Sequence, residues 1–221
     1  MDNSQFKVNF EELKKKVYTN FPTKSTEENN AFFEDFQKEL TETDIKQYSL
    51  KTGDTMPHFT LPNAHKHNIN SQNLLDKKWL IIVFYRGAWC PFCNLYLKFL
   101  QRNLETINNI PARLVAISPQ TIDNSVETIN KNNLSFEVLS DTGSVVAKKF
   151  NLVYTVPNYL NEVYLKNGID FQYYNSKGKI ELPLPATYII DQQGTIHYHF
   201  IEYDFTLRAD VNEIIKFISQ H

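Results

Sequence analysis

The most informative segment of the chain is WLIIVFYRGAWCPFC, residues 79–93. Its first part, from Trp79 to Tyr85, is a continuous apolar run, which is typical of a β-strand covered on both faces. Its second part ends in two cysteines, Cys90 and Cys93, and apolar residues then recur at helical intervals. The stretch therefore predicts a buried strand, a short turn and the start of a long helix, with both cysteines in the turn and the first helical residues.

Strands and helices alternate after this stretch. The apolar pattern predicts a helix at 91–108, strands at 114–117 and 136–139, helices at 122–130 and 145–150, a hairpin of strands 186–190 and 195–201, and a closing helix at 211–218. This order predicts an α/β sandwich with a mixed central sheet. Segment 151–182, which holds five tyrosines, is expected to form an ordered aromatic insertion whose elements the pattern does not assign.

The chain divides near residues 51–54, where turn residues interrupt the pattern. We predict a helical extension at 1–50 and one α/β domain at 51–221. Two amphipathic helices are expected in the extension, and a capping box of Ser25 and Glu28 is expected to start the second. Their apolar residues are Phe6, Phe10, Leu13 and Val17 in the first helix and Phe32, Phe33, Phe36 and Leu40 in the second. So many aromatic residues require a covering surface, either the following domain or a second copy of the chain in a homodimer.

Composition excludes several classes of protein. The 221 residues include 23 Lys and Arg against 25 Asp and Glu, so no basic surface for nucleic acid is expected. The longest apolar run is far shorter than the roughly 20 residues of a membrane-spanning helix. No secretory signal is predicted at the first residues, so the expected compartment is the reducing cytoplasm.

The two cysteines are the main chemical clue, because they lie three residues apart at a strand-to-helix junction. The partial positive charge of a helix N-terminus favours a thiolate, and Pro91 fits the first helical position. Arg86 could assist ionisation from just before the turn. One helical turn brings positions 90 and 93 to the same face, within reach of a disulfide. An inert buried pair and a zinc site are the alternative interpretations.

A zinc site would need ligands from the six histidines, and none lies at a ligand-like spacing beside the cysteines. His65 with His67, and His197 with His199, could join a metal cluster built by the fold, but surface positions are the simpler interpretation. We therefore predict no metal ion and no bound cofactor.

Several segments together resemble the peroxiredoxins of the alkyl hydroperoxide reductase and thiol-specific antioxidant family. They are GDTMPHFTL at 53–61, FYRGAWCPFC at 84–93, ISP at 117–119, LSD at 139–141 and LPATYIID at 184–191. The resemblance covers about 51–221 and is to a branch with a thioredoxin-style CxxC motif. It implies a thioredoxin fold and a thiol-dependent peroxidase.

The resemblance also implies roles for single residues. Cys93 falls at the peroxidatic position, whose thiolate attacks the peroxide, and Cys90 falls at the position of the thioredoxin nucleophile. Pro185 falls where thioredoxin folds keep a cis-proline beside the redox pair, so a cis peptide bond is expected; an ordinary edge-strand proline is the alternative. Trp89 and Tyr85 are expected to shape and shield the site.

The chain departs from the family pattern at three positions. Cys90 replaces the threonine or serine three residues before the peroxidatic cysteine, Arg86 replaces the proline seven residues before it, and Pro185 replaces an arginine. The missing groups normally bind the peroxide and stabilise developing charge. Peroxidase rates are then expected to be modest unless Arg86 or Arg208 takes over, although Arg208 is more simply a charged residue that opens the last helix.

The predicted reaction is reduction of a hydroperoxide by Cys93, followed by a disulfide with Cys90 and reduction by an external thiol. Thioredoxin or a small thiol is the expected reductant, because the disulfide is expected at an exposed helix start. Two other hypotheses remain. Cys90 could be the nucleophile of a protein disulfide oxidoreductase, or the chain could be a redox sensor or binding module without turnover.

Overall fold

The protein is described by a computed structural model, which covers residues 27–175 and 177–221 together with Glu12 and Lys15. Its strands are β1 (Thr60–Pro62), β2 (Asn68–Asn70), β3 (Trp79–Phe84), β4 (Ala112–Ser118), β5 (Glu137–Ser140), β6 (Val153–Thr155), β7 (Glu181–Pro183), β8 (Ala186–Asp191) and β9 (Ile196–Ile201). Its helices are α1 (Glu27–Thr41), α2 (Ile45–Tyr48), α3 (Pro91–Arg102), α4 (Leu104–Asn108), α5 (Ile122–Asn132), α6 (Val145–Lys149), α7 (Asn158–Lys166), α8 (Phe171–Asn175) and α9 (Val211–Gln220). A short 3-10 helix, Ser71–Leu74, follows β2.

A five-stranded mixed sheet forms the centre of the fold, in the order β5-β4-β3-β8-β9. β3 runs parallel to β4 and antiparallel to β8, and all six residues of β3 are buried. The predicted run of apolar residues therefore forms the central strand, because both of its faces are covered. This sheet with its helices confirms the predicted thioredoxin-type α/β/α fold.

Element bounds agree with the sequence pattern to within about two residues except in one helix. The helix predicted at 91–108 is two helices, α3 and α4, with a break at Asn103. The side-chain amide of Asn103 donates to the carbonyl of Phe99 at 2.9 Å, and its backbone leaves helical geometry at φ −97° and ψ 2°. An asparagine that hydrogen-bonds the nearby backbone competes with the helical pattern, which explains the break.

The described part of the aromatic insertion has its own small framework. β6 and β7 pair antiparallel, with Val153 opposite Pro183, and the short helices α7 and α8 lie between them in the chain. Helices α7 and α8 therefore lie in a loop whose two ends are joined by the hydrogen bonds between β6 and β7.

The described part of the N-terminal extension packs on the insertion. Phe36 and Leu40 of α1 are buried, and the rings of Phe36 and Tyr154 are 5.6 Å apart. The hydroxyl of Tyr159 donates to Glu39 at 2.8 Å. The helix predicted around Phe6, Phe10, Leu13 and Val17, and the predicted cap at Ser25, lie outside the described residues. Among the helices described, none has the length and apolar character needed to cross a membrane.

Candidate active site

The cysteine pair lies where β3 ends and α3 begins. Cys90 is the N-cap residue of α3, with extended backbone, and Pro91 occupies the first helical position, where the amide hydrogen that proline lacks would have no helical partner. Both thiols are free. The strand, turn and helix that the sequence predicts are therefore present, and they place both sulfurs beyond the carboxyl end of the central strand.

The pair is buried, which corrects the expectation of an exposed helix start. Cys90 is 0% exposed and Cys93 is 1% exposed. The cause is a group of four rings, Trp89, Tyr164, Phe171 and Phe205, which we call the aromatic cover. Trp89 packs edge-on against Tyr164 at 5.4 Å and against Phe171 at 5.0 Å, between ring centroids. Tyr164 and Phe171 belong to the insertion, so long-range packing removes the helix start from solvent.

Gly87 makes room for this packing. Its φ of +148° lies in a region that residues with a side chain rarely adopt, and a Cβ atom there would lie 2.5 Å from the indole nitrogen of Trp89. The glycine in the turn therefore allows Trp89 to fold over the backbone and close the site.

Each sulfur has its own arginine. Arg86 donates from Nη2 to the Cys90 sulfur at 3.3 Å, and Arg208 donates from Nη2 to the Cys93 sulfur at 3.3 Å. Arg208 does not open the last helix, which starts three residues later at Val211. The loop that contains Arg208 instead directs the side chain to the sulfur, because Phe205 and Leu207 supply carbonyl acceptors for Nη1.

Arg86 is held by the aromatic cover. It is 3% exposed, and its guanidinium lies 4.9 Å from the ring centre of Trp89 and 3.9 Å from that of Phe205. Its Nη1 atom donates to the hydroxyl of Tyr164 at 3.5 Å. Burial disfavours the charged guanidinium, but the charge on Cys90 outweighs burial and raises the pKa of Arg86 above its ordinary value.

The pKa values of the two thiols are shifted in opposite directions. Burial opposes ionisation of Cys90, but a hydrogen bond from Cys93 and the charges of Arg86 and Arg208 outweigh it, so the pKa of Cys90 lies well below its ordinary value. Burial and the neighbouring Cys90 raise the pKa of Cys93 well above its ordinary value. These opposite shifts favour a thiolate on Cys90 beside a thiol on Cys93 in the reduced pair.

Polar side chains hold the other side of the turn, and we call Asn94, Gln120 and Asn132 the polar support. Asn94 donates from Nδ2 to the carbonyls of Ala88 at 2.6 Å and Cys90 at 3.1 Å. Gln120 accepts from the amide of Ala88 at 3.0 Å, and Asn132 donates to Asn94 at 2.9 Å. Sequence reasoning missed these residues; the available signal was the position of Asn94 directly after Cys93.

Pro185 lies beside the turn, but its peptide bond is trans. It is buried and directly precedes β8, whose first residue, Ala186, pairs with Phe84 at the end of β3. The prediction of a cis bond is wrong. The trans form is the default even before proline, by about 0.5–1 kcal/mol, and this loop reaches β8 without the cis form.

The histidines take other partners. His197 contacts the carboxylate of Asp191 at 2.8 Å, and His199 Nδ1 accepts from the amide of Thr52 at 3.1 Å. The rings of His65 and His67 lie 6.4 Å apart. Within the described ranges, no three histidine, cysteine or acidic side chains come together as a metal site.

Comparison with known proteins gives the family. The AhpC/TSA family model matches residues 52–199, which include the redox turn and the central sheet up to the last two residues of β9. The chain belongs to the AhpC/TSA family. The predicted resemblance to peroxiredoxins is therefore confirmed.

Curated relatives agree with this membership. The chain is 33% identical over 104 residues to the putative peroxiredoxin bcp of Buchnera aphidicola subsp. Schizaphis graminum, a match that spans 47% of this chain and 65% of that relative. It is 22% identical over 172 residues to peroxiredoxin Bcp of Escherichia coli, spanning 78% of this chain and 97% of the relative.

Solved structures support the fold. Peroxidoxin BcpB from Mycobacterium tuberculosis superposes with a TM-score of 0.63 at 17% identity, covering 77% of this chain and 97% of that one. A yeast mitochondrial 1-Cys peroxiredoxin superposes with a TM-score of 0.60 at 15% identity, covering 77% and 75%. The family match ends at residue 199, so it leaves out Arg208 and the loop that places it.

Proposed function

We propose that this protein is a thiol-dependent peroxidase in which Cys90 and Cys93 form the redox pair. The observation that supports it best is the arrangement of two free thiols at one helix start, each 3.3 Å from a guanidinium, in a member of the AhpC/TSA family. A low-pKa thiolate is the nucleophile that peroxide chemistry needs, and buried cations stabilise it.

The proposed cycle needs these two cysteines, one proton from solvent and an external dithiol. The Cys93 proton first moves to Cys90 along their hydrogen bond, and the Cys93 thiolate attacks the hydroperoxide, so that an S–O bond forms and the O–O bond breaks. The alkoxide takes the proton that moved to Cys90 and leaves as alcohol. The Cys90 thiolate then displaces hydroxide from the Cys93 sulfenic acid and forms the disulfide; the hydroxide takes a proton from solvent and leaves as water, and an external dithiol reduces the disulfide.

The N–H donors in the site are suited to binding the peroxide in place of the family's missing groups. Arg86 Nε and Trp89 Nε1 are both buried, and neither has a hydrogen-bond partner among the described residues. Buried donors without partners favour a ligand with acceptor oxygens. Because the aromatic cover closes the pair, we propose that the cover opens to admit the hydroperoxide.

The charge on Cys90 favours a second candidate function. A resting thiolate at the first cysteine of a CxxC motif is the nucleophile of a disulfide oxidoreductase, with Cys93 as the residue that resolves the mixed disulfide. This function uses the same atoms in the opposite order and needs no initial proton transfer.

Serine variants of the two cysteines test both functions. Peroxide consumption and reduction of a protein disulfide are measured side by side for the wild type, Cys90→Ser and Cys93→Ser, with a chemical dithiol as reductant. The peroxidase proposal expects peroxide consumption by the wild type and its loss in Cys93→Ser. Full peroxide consumption by Cys93→Ser with loss in Cys90→Ser would show that Cys90 attacks first. No turnover in either assay would favour the sensor.

The remaining assignments belong to the same proposal. We propose a hydroperoxide as substrate and thioredoxin or a small thiol as reductant; a small thiol suits the closed site better because Cys90 is fully buried. We also propose a cytoplasmic location, a helical extension at 1–50 followed by one domain at 51–221, and a homodimer through that extension. Analytical ultracentrifugation of the full chain, with and without residues 1–50, tests the last of these.

A further inference from the structure

We infer that Arg208 is a catalytic residue for Cys93, the counterpart of Arg86 for Cys90, so that each sulfur of the pair has its own guanidinium. The two Nη2–Sγ distances are both 3.3 Å. Arg208 lies outside residues 52–199, where the family model matches, and none of its sequence neighbours belongs to the redox motif. The inference rests on the proposed function only in naming the reaction that these sulfurs perform.

The loop before α9 fixes Arg208 toward the sulfur. Its Nη1 atom donates to the carbonyls of Phe205 and Leu207, which occupies one side of the guanidinium and leaves Nη2 for Cys93. The loop itself is anchored, because the amide and hydroxyl of the buried Thr206 donate to Asp204 at 2.8 and 2.7 Å. A pre-positioned donor of this kind loses little conformational entropy when charge develops on its partner.

A cation at Cys93 favours the reaction whichever sulfur attacks first. If Cys93 attacks the peroxide, it does so as a thiolate. If Cys90 attacks first, Cys93 must ionise to displace water from the Cys90 sulfenic acid. When an external thiol attacks the disulfide at Cys90, Cys93 leaves as a thiolate. Negative charge therefore develops on Cys93 in each order, and Arg208 is the guanidinium that touches it.

The two arginines are not equivalent. Among the charges that lower the pKa of Cys90, Arg86 comes first and Arg208 second, and for Cys93 the order is reversed. The other titratable groups that face Cys93 are Cys90, Tyr85 and Tyr154. The tyrosine pKa values are raised by burial, so these side chains stay neutral while the thiols titrate.

The test titrates one thiol at a time and uses no peroxide. In the Cys90→Ser background, the ultraviolet absorbance of the thiolate reports the pKa of Cys93; in the Cys93→Ser background, it reports that of Cys90. Arg208→Gln should raise the pKa of Cys93 by about 1 to 3, and Arg86→Gln should raise it less. For Cys90 the order of the two effects should reverse.

Two further variants separate a catalytic from a structural role. Arg208→Lys keeps the charge and should leave the pKa of Cys93 close to that of the parent Cys90→Ser protein, whereas loosening of the loop would affect Lys and Gln variants alike. Arg113→Gln is the matched control, because Arg113 pairs with Asp76 and lies on β4 opposite Leu80, far along the strands from the redox turn. Thermal unfolding of each variant confirms that it is folded.

A Cys93 titration that Arg208→Gln shifts no more than Arg113→Gln does would overturn the inference. An equal or larger effect of Arg86→Gln on Cys93 would overturn the assignment of one arginine to each sulfur. Because the readout needs no substrate, failure of the peroxidase proposal leaves this result intact, and the converse also holds.

Discussion

The redox turn is held between two regions of opposite character. On one side, the polar support of Asn94, Gln120 and Asn132 hydrogen-bonds the backbone at Ala88 and Cys90. On the other side, the aromatic cover, whose rings pack on one another and on Arg86, leaves both sulfurs buried. The first region sets where the sulfurs lie, and the second sets the dielectric around them.

This difference explains how a buried pair keeps a thiolate. Burial alone would raise both thiol pKa values, and the same low dielectric strengthens the attraction of Arg86 and Arg208 for a sulfur anion. A cover without fixed arginines would give two inert thiols, and arginines without a cover would act through water. Changes in the cover should therefore alter access and stability, whereas changes in the polar support should alter geometry.

The largest effect is expected for Phe171→Ala in the cover. Phe171 is buried and its ring centre lies 4.9 Å from that of Tyr164, so the substitution leaves a cavity that costs about 3–5 kcal/mol of unfolding free energy. Alkylation of the reduced pair by iodoacetamide should become faster, because the cover loosens. Chemical denaturation and alkylation rates measure both effects.

Tyr173→Ala is the control for this prediction, because Tyr173 belongs to the same helix but is exposed. If Phe171→Ala destabilises the protein while alkylation stays as slow as in Tyr173→Ala, the cover does not control access to the sulfurs.

The next effect is expected for Arg86→Met, which removes the cation that lies between the aromatic cover and the Cys90 sulfur. The pKa of Cys90 should rise by about 1 to 3, because the substitution removes the nearest cation from the thiolate. The rise of the alkylation rate with pH should move to higher pH by the same amount. The variant should therefore be alkylated more slowly than the wild type near neutral pH and should recover as the pH rises.

Arg102→Met removes an exposed charge from the last turn of α3 and should leave the pH profile unchanged. A profile of Arg86→Met that coincides with that of Arg102→Met contradicts the role of Arg86 in stabilising the thiolate.

A smaller effect is expected for Asn94→Ala in the polar support. Two buried carbonyls, those of Ala88 and Cys90, lose a donor, which costs about 1–3 kcal/mol. Peroxide turnover should fall because the turn is no longer held in position. Alkylation should not become faster, because the aromatic cover is intact. Lys98→Ala, at an exposed position of the same helix, is the control. Faster alkylation in Asn94→Ala would show that the two regions are not independent.

The smallest effect is expected for Tyr164→Phe, which keeps the ring and removes one hydroxyl. The bond from Arg86 to that hydroxyl is long, at 3.5 Å, so its loss should cost less than about 1 kcal/mol and leave the alkylation rate unchanged. A cost as large as that of Phe171→Ala would mean that hydrogen bonding, rather than ring packing, holds the cover in place.

The sequence predicts the turn that the polar support holds, but not the polar support itself, and it predicts little of the aromatic cover. The strand at 79–84, the helix start at Cys90 and the closing hairpin are local patterns, and a resemblance over 53–61 and 184–191 adds the fold. Asn94 lies next to Cys93, yet its role depends on Asn132 across the space between two helices.

Long-range packing accounts for what the sequence does not predict. The burial of Cys90 depends on Tyr164 and Phe171, which are more than seventy residues away in the chain, and the cation at Cys93 comes from 115 residues downstream. Local periodicity holds no information on such contacts. The resemblance to a family can also mislead. It predicts a cis peptide bond at Pro185, whereas this bond is trans.

A hydroperoxide is expected to convert the buried pair into a disulfide within one turn of helix. The most direct measurement is a single turnover: one equivalent of an organic hydroperoxide is added to the reduced full chain, and the alcohol and the protein mass are quantified together. The expected result is one equivalent of alcohol, loss of two hydrogens from the protein, and a Cys90–Cys93 bridge in the peptide map. Alcohol formed without that bridge, or a protein that keeps both thiols, would contradict it.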